Sequence, residues 1–253
     1  MRKLIAANWK MNKGSEDAVQ LVNELKELVK GNHNCDILIC PPFTALHSVH
    51  EKIKNSNILL GAQNMHYEAS GAFTGDISAS MIKAAGCSYV ILGHSERREF
   101  FHEDDMLINK KVHSALKSGL NPILCVGEML EQREKGWTQQ ILEKQLSNGL
   151  HGISQEQMNK ITIAYEPVWA ISRGNANVKS ATPEDAKKSH DFIRHVISDM
   201  LGHDIADSVR ILYGGSMKPE NAKQLLSIKG IDGGLVGNAS LNAKSFAEIV
   251  NAA

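Results

Sequence analysis

Hydrophobic residues along this chain gather in short, nearly continuous runs and do not alternate with polar ones. The runs are "LIAAN" from Leu4, "DILIC" from Asp36, "ILLGA" from Ile58, "YVILG" from Tyr89, "PILCV" from Pro122, "ITIAY" from Ile161, "VRILY" from Val209 and "IDGGLV" from Ile231. A strand with one face in water alternates; a strand buried on both faces does not. The pattern therefore predicts eight doubly buried strands. Between them lie amphipathic stretches. Ala18, Leu21, Val22, Leu25, Leu28 and Val29 form one helical stripe, and Ile193, Val196, Ile197, Met200 and Leu201 form another. Ser15, Thr44, Ser78 and Thr182-Pro183 are expected helix starts. Eight βα units within 253 residues predict an α/β protein of the (β/α)8-barrel class, with parallel strands ringed by helices. A doubly wound open sheet would favour a GxGxxG turn after the first strand, and "NWKMNKG" offers none. No linker or low-complexity segment interrupts the pattern, so residues 1–253 are expected to form one domain.

Composition narrows the function. The 28 basic residues balance 28 acidic ones, which argues against a nucleic-acid-binding footprint. No apolar run nears the roughly 20 residues of a membrane span, and the first residues do not read as a signal peptide. Cys35, Cys40, Cys87 and Cys125 show no CxxC spacing, and Cys40 and Cys125 sit inside strand-like runs. A reduced, cytoplasmic chain without disulfides is the expectation. Eleven histidines include no HExxH, and His47 and His50 lack a third ligand in sequence, so no metal is expected.

In a barrel the chemistry sits where the strands end. Asn8 and Lys10 follow the first run, Gly93-His94-Ser95-Glu96 the fourth and Glu166 the sixth. Gly214-Gly215-Ser216 follow the seventh, and Gly237-Asn238 the eighth. A carboxylate, an imidazole, a fixed cation and two small-residue turns thus converge on one rim. Each alone has an ordinary reading: a solvated lysine, a capping histidine, a rim salt bridge or a tight turn. Together they suit proton abstraction next to a carbonyl. The carboxylate takes a carbon-bound proton, the imidazole hydrogen-bonds the carbonyl oxygen, and Lys10 stabilises the charge that develops. Backbone N–H groups at the Gly-rich turns after the last two strands would hold a phosphate. This chemistry requires no cofactor.

"NWKMN" (8–12), "SGAFTGDIS" (70–78), "GHSERR" (93–98), "CVGE" (125–128), "AYEPVWAI" (164–171), "YGGS" (213–216) and "LVGNASL" (235–241) closely resemble the triosephosphate isomerase family, in order and from end to end. The resemblance implies interconversion of dihydroxyacetone phosphate and D-glyceraldehyde 3-phosphate. It implies Glu166 as base, His94 as electrophile and Lys10 as electrostatic partner, with Asn8 and Trp9 beside it in the substrate pocket. That family is an established example of a carboxylate base working with a neutral histidine. A helix opening at Ser95 would favour the neutral ring, and Glu96 would hold Lys10. Cys125 would be a buried neighbour, and Tyr213 and Ser216 would meet a closing lid. Pro167-Val168-Trp169 would be that lid's hinge. The long segment 63–77 would enter a second subunit and bring Thr74 to the partner's site, which implies a homodimer.

The chain departs from the family pattern in two places. After "WAI" the family reads Gly-Thr-Gly-Lys, whereas this chain reads Ser172-Arg173-Gly174-Asn175, and the return through Ala181 to "TPE" is longer. Ser172 is expected to offer its N–H to phosphate; no side is assigned to Arg173. Asn238 stands where the family has a second glycine. A different phosphate-binding barrel enzyme with an altered lid is the alternative reading, and a non-enzymatic scaffold a third.

Overall fold

A computed structural model describes residues 1–171 and 181–253. Eight parallel strands close into a barrel in sequence order: β1 (Lys3–Asn8), β2 (Cys35–Cys40), β3 (Ile58–Ala62), β4 (Tyr89–Leu92), β5 (Asn121–Val126), β6 (Thr162–Tyr165), β7 (Arg210–Tyr213) and β8 (Gly233–Val236). β8 pairs with β1 from Leu4↔Gly233 to Ala7↔Val236, which closes the ring. Each apolar run became a strand, with ends shifted by one or two residues.

The packing explains the continuous runs. Leu4, Ala6, Leu38, Ile91, Ile123, Ala164 and Leu212 fill the barrel interior. Their neighbours Ile5, Ala7, Ile37, Ile39, Val90, Ile163 and Ile211 pack outward against the helices. Both parities are dry, so no polar residue is needed on either face. Burial of each aliphatic side chain contributes about 1.5–3 kcal/mol before entropy is counted.

Two of the expected helix starts are caps. The Ser78 hydroxyl accepts the Met81 N–H, and Thr182 forms a capping box with Asp185 behind Pro183. The other two are not caps. Ser15 does start its helix, as the first helical residue after Gly14, and its hydroxyl donates to the Thr44 carbonyl across the rim (2.9 Å). Thr44 lies inside the 3-10 turn Phe43–Ala45. The β5–β6 crossover is broken into helices Leu130–Glu134, Thr138–Gly149 and Gln155–Met158, with Gly136 and Gly152 turning at positive φ between them. Among the described residues, no helix is long and apolar enough to cross a membrane.

Candidate active site

The strand ends open into a cavity of about 750 Å³. Asn8, Trp9, Lys10, His94, Glu96, Glu166, Ser216, Gly237 and Asn238, all expected from sequence, line it. Ser172 and Arg173 lie outside the described residues. Ser95, Cys125, Tyr213 and Thr74 do not line it.

Glu166 follows β6 directly and is 2% exposed. Its backbone N–H donates to the Val126 carbonyl at the end of β5 (2.8 Å). Two glycines make room for it. A Cβ on Gly127 would stand 1.8 Å from the Glu166 carbonyl oxygen, and one on Gly214 would stand 2.9 Å from its Cγ. The carboxylate has two partners: Oε2 accepts the Ser95 N–H (2.9 Å), and Oε1 lies 2.8 Å from His94 Nε2. Burial pushes this carboxyl up most strongly. The facing His94, the Ser95 N–H and Lys10 together outweigh burial and hold it below its ordinary value.

His94 is buried and caps the helix Ser95–Phe100 with its own ring: Nδ1 accepts the Glu96 N–H (3.2 Å). A nitrogen that accepts a backbone N–H carries no proton, so the hydrogen-bond network puts the ring proton on Nε2, facing Glu166. The helix was expected at Ser95, and the capping histidine offered as the ordinary reading of His94 is what the ring does here, beside its place facing Glu166. Helix N-terminal backbone groups favour the unprotonated Nδ1.

Lys10 bends out of β1 with φ of 54°, and its N–H donates to Asn8 Oδ1 (3.1 Å). Its ammonium reaches Glu96 Oε1 at 2.6 Å, as expected for Glu96. Trp9 is fully buried, with an indole N–H that has no partner among the described residues. Ser95 is buried with a hydroxyl that has no partner among the described residues, and its contact with Glu166 runs through its backbone N–H. Cys125 is fully buried; desolvation first, then the Glu166 charge, pushes its thiol well above the ordinary range, which removes it as a nucleophile.

The phosphate-side residues come together as well. The Gly214 N–H donates to the Tyr165 carbonyl (2.7 Å), which turns the chain toward Ser216. Tyr213 is buried, and its hydroxyl lies so close to Gly215 that a Cβ there would collide with it (2.2 Å). Asn238 begins the 3-10 turn Asn238–Leu241, which Ser240 braces by donating to the Gly237 carbonyl (2.6 Å).

Two residues with clear local work had no role assigned from sequence. Glu128, fully buried, accepts the Trp169 indole N–H (2.8 Å) and the Tyr165 hydroxyl (3.2 Å). It thereby anchors the 3-10 turn Val168–Ala170, over which Arg133 stacks on Trp169 at 3.9 Å. Arg98 donates to the Gly93 and Cys125 carbonyls and pairs with Asp105 at 2.6 Å, tying the ends of β4 and β5 together. Their presence in "GHSERR" and "CVGE" was the only signal in the sequence.

Segment 63–77 leaves the barrel with Asn64 and Met65 buried at its base and residues 68–76 exposed. Gln63 Nε2 moors it to the Lys10 and Cys40 carbonyls (2.9 and 2.8 Å), and the His66 N–H donates to the Ile77 carbonyl at its neck (2.8 Å). Thr74 is exposed at its tip. Among the described residues, no group of three or more His, Cys, Asp or Glu is arranged to hold a metal.

Residues 3–253 match the family model described as Triosephosphate isomerase. A triosephosphate isomerase of Carboxydothermus hydrogenoformans is 53% identical over 251 residues, covering 99% of this chain and 98% of that protein. One from Fusobacterium nucleatum is 51% identical over 253 residues, covering 100% and 99%. The crystal structure of triosephosphate isomerase from Bartonella henselae superposes with a TM-score of 0.89 at 40% identity, covering 100% of this chain and 99% of that one.

Proposed function

The chain belongs to the triosephosphate isomerase family and interconverts dihydroxyacetone phosphate and D-glyceraldehyde 3-phosphate through an enediolate; from that premise we propose that Glu166 moves the proton and His94 and Lys10 stabilise the oxygens. The observation that carries this assignment is the 2.8 Å contact between Glu166 Oε1 and His94 Nε2, with Nδ1 committed to the Glu96 N–H. Without substrate, that N–H donates to the base. When substrate enters, its carbonyl oxygen takes the place of Oε1 at Nε2, and the displaced carboxylate turns to the adjacent C–H. Glu166 removes the carbon-bound proton, and the electron pair moves into the enediolate. His94 donates to the oxygen that becomes negative, and the Lys10 ammonium lowers its energy. Glu166 then returns the proton to the neighbouring carbon while the hydroxyl proton of the first oxygen passes to the second, so one carbonyl is lost and the other formed with no net change in protons.

Ser216, Gly237 and Asn238 hold the phosphate at the far side of the same cavity, and Ser172 adds a backbone N–H. Asn8 and Trp9 support Lys10. The test is isomerisation in deuterium oxide. Product deuterated at the carbon that receives the proton is expected, and Glu166→Gln is expected to abolish that incorporation along with turnover. Retained incorporation in that variant overturns the assignment.

The whole chain works as one domain and as a cytoplasmic homodimer. Large apolar side chains stand exposed on successive rim segments after β1, β2 and β3: Met11 (96%), Phe43 (39%), Phe73 (39%) and Met81 (56%). A partner's pocket would cover Phe73 and receive Thr74. Sedimentation of a fully active monomer at assay concentration overturns this part.

A further inference from the structure

The barrel has a second mouth, where the strands begin. A cavity of about 240 Å³ opens there, and none of its lining residues lines the active-site cavity. Its centre is Asp36, at the start of β2. Arg210 Nη1, from the start of β7, donates to Asp36 Oδ2 at 2.7 Å, and Arg2 Nε lies 3.3 Å from Oδ1. Arg2 Nη2 also donates to the Cys35 carbonyl (2.9 Å). Each guanidinium carries about five N–H donors, so most of them are left for another acceptor.

The rest of the lining is also rich in donors. The Lys160 ammonium has no partner among the described residues and stands exposed at the rim. Asn159 accepts the Ser208 hydroxyl through its Oδ1 (3.1 Å), which leaves its amide N–H groups free to donate. Tyr89 lines the cavity with a hydroxyl that has no partner among the described residues. Arg2, Lys160 and Arg210 face a single carboxylate, Asp36, which leaves two uncompensated positive charges on a chain of zero formal net charge. A structural strap joining β1, β2 and β7 needs only the two guanidiniums and Asp36. It does not account for the lysine, the amide and the phenol gathered around them.

We propose that this mouth binds a small, doubly charged oxyanion, of the phosphomonoester or dicarboxylate type. Two negative charges match the surplus, and the oxygens match a lining rich in donors with one carboxylate. The guanidiniums are held in place by Asp36 before any ligand arrives, so they lose little freedom on binding. Because Arg2 and Lys160 are solvent-facing, the affinity falls as ionic strength rises. This site stands apart from the isomerisation and does not depend on how that reaction is assigned.

The test is titration of the full chain with glycerol 2-phosphate, with succinate and with neutral glycerol, followed by backbone amide NMR shifts near neutral pH. Saturable shifts at Lys160, Ser208 and Arg210 are expected from a dianion and not from glycerol. Lys160→Glu removes the charge surplus and is expected to weaken that binding at least about fivefold while isomerase activity is unchanged. Arg2→Gln provides a second variant with a smaller loss of the same kind. Shifts from both dianions assign the site to charge and shape alone, and shifts from only one identify the acid group it takes. No saturable shift at these amides with either dianion, equal shifts with glycerol, or undiminished binding in Lys160→Glu overturns the proposal.

Discussion

The ends of β5 and β6 each carry a buried glutamate, and their surroundings shift the two carboxyls in opposite directions. Glu128 is fully buried, and desolvation, the largest influence on it, raises its carboxyl above the ordinary value despite the Trp169 and Tyr165 donors. Glu166 is almost as deeply buried, and desolvation is again the largest single influence, yet its carboxyl is lowered. Loss of water does not decide between them; the partners do. Glu128 is met by an indole, a phenol and an arginine 3.9 Å away. Glu166 faces an imidazole N–H, a backbone N–H at a helix start, and Lys10 across the cavity. The first arrangement pins a turn. The second favours the ionised carboxylate, as the role proposed for Glu166 requires.

Substituting the two carboxylates tests this division. Glu166→Gln should lower kcat by up to about 10⁴-fold, the upper range for a lost proton-transfer group, with a much smaller change in KM. Glu166→Asp withdraws the carboxylate by about 1 Å and should cost on the order of 10²-fold in kcat. Glu128→Gln should cost less than about tenfold and move kcat and KM together, because it loosens the turn and leaves the base in place. Steady-state kinetics on the three variants decides the matter: a Glu128→Gln loss as large as that of Glu166→Asp would break the comparison.

The smallest expected effect is on stability. Glu166 titrates below 4.5 in the folded chain, so the unfolded chain protonates first. Its stabilising contribution is complete above 4.5 and is lost as pH falls through the folded value. Glu128 titrates above 4.5 when folded, so the native state holds the proton longer and its contribution declines as pH rises from 4.5 through that value. Urea midpoints across pH should therefore show the Glu166→Gln curve below the parent above 4.5 and converging with it as pH falls below 4.5, and the Glu128→Gln curve separating from the parent as pH rises above 4.5.

Most of the barrel was legible because its strands are dry on both faces, so Leu4 to Ala7 or Ile161 to Tyr165 could carry no polar alternation. The site was legible because its residues come directly after those runs. What escaped depends on contacts distant in sequence. Glu128 meets Trp169 41 positions away, and Arg98 reaches the Cys125 carbonyl 27 positions away. No local pattern marks either partner. His94 was read either as a cap or as a site residue, and no local pattern shows that it is placed for both: the fold turns the imidazole back on its own helix, uses Nδ1 as the cap acceptor and leaves Nε2 facing Glu166. Residues 172–180, on which the lid expectations rest, are outside the described structure.

Gly127 and Gly214 have a consequence for anyone who redesigns this pocket. They are the two walls of the slot that admits Glu166, and the clearances of 1.8 and 2.9 Å leave neither wall room for even a methyl group. Neither glycine contributes a reactive atom, so a mutagenesis library aimed at chemistry would treat both as open positions. Alanine at Gly127 would force the Glu166 backbone aside, and alanine at Gly214 would crowd its side chain and the Tyr165 carbonyl. Ser216 and Asn238 line the same cavity without enclosing Glu166 in this way, so variation belongs there while these two glycines stay closed to it.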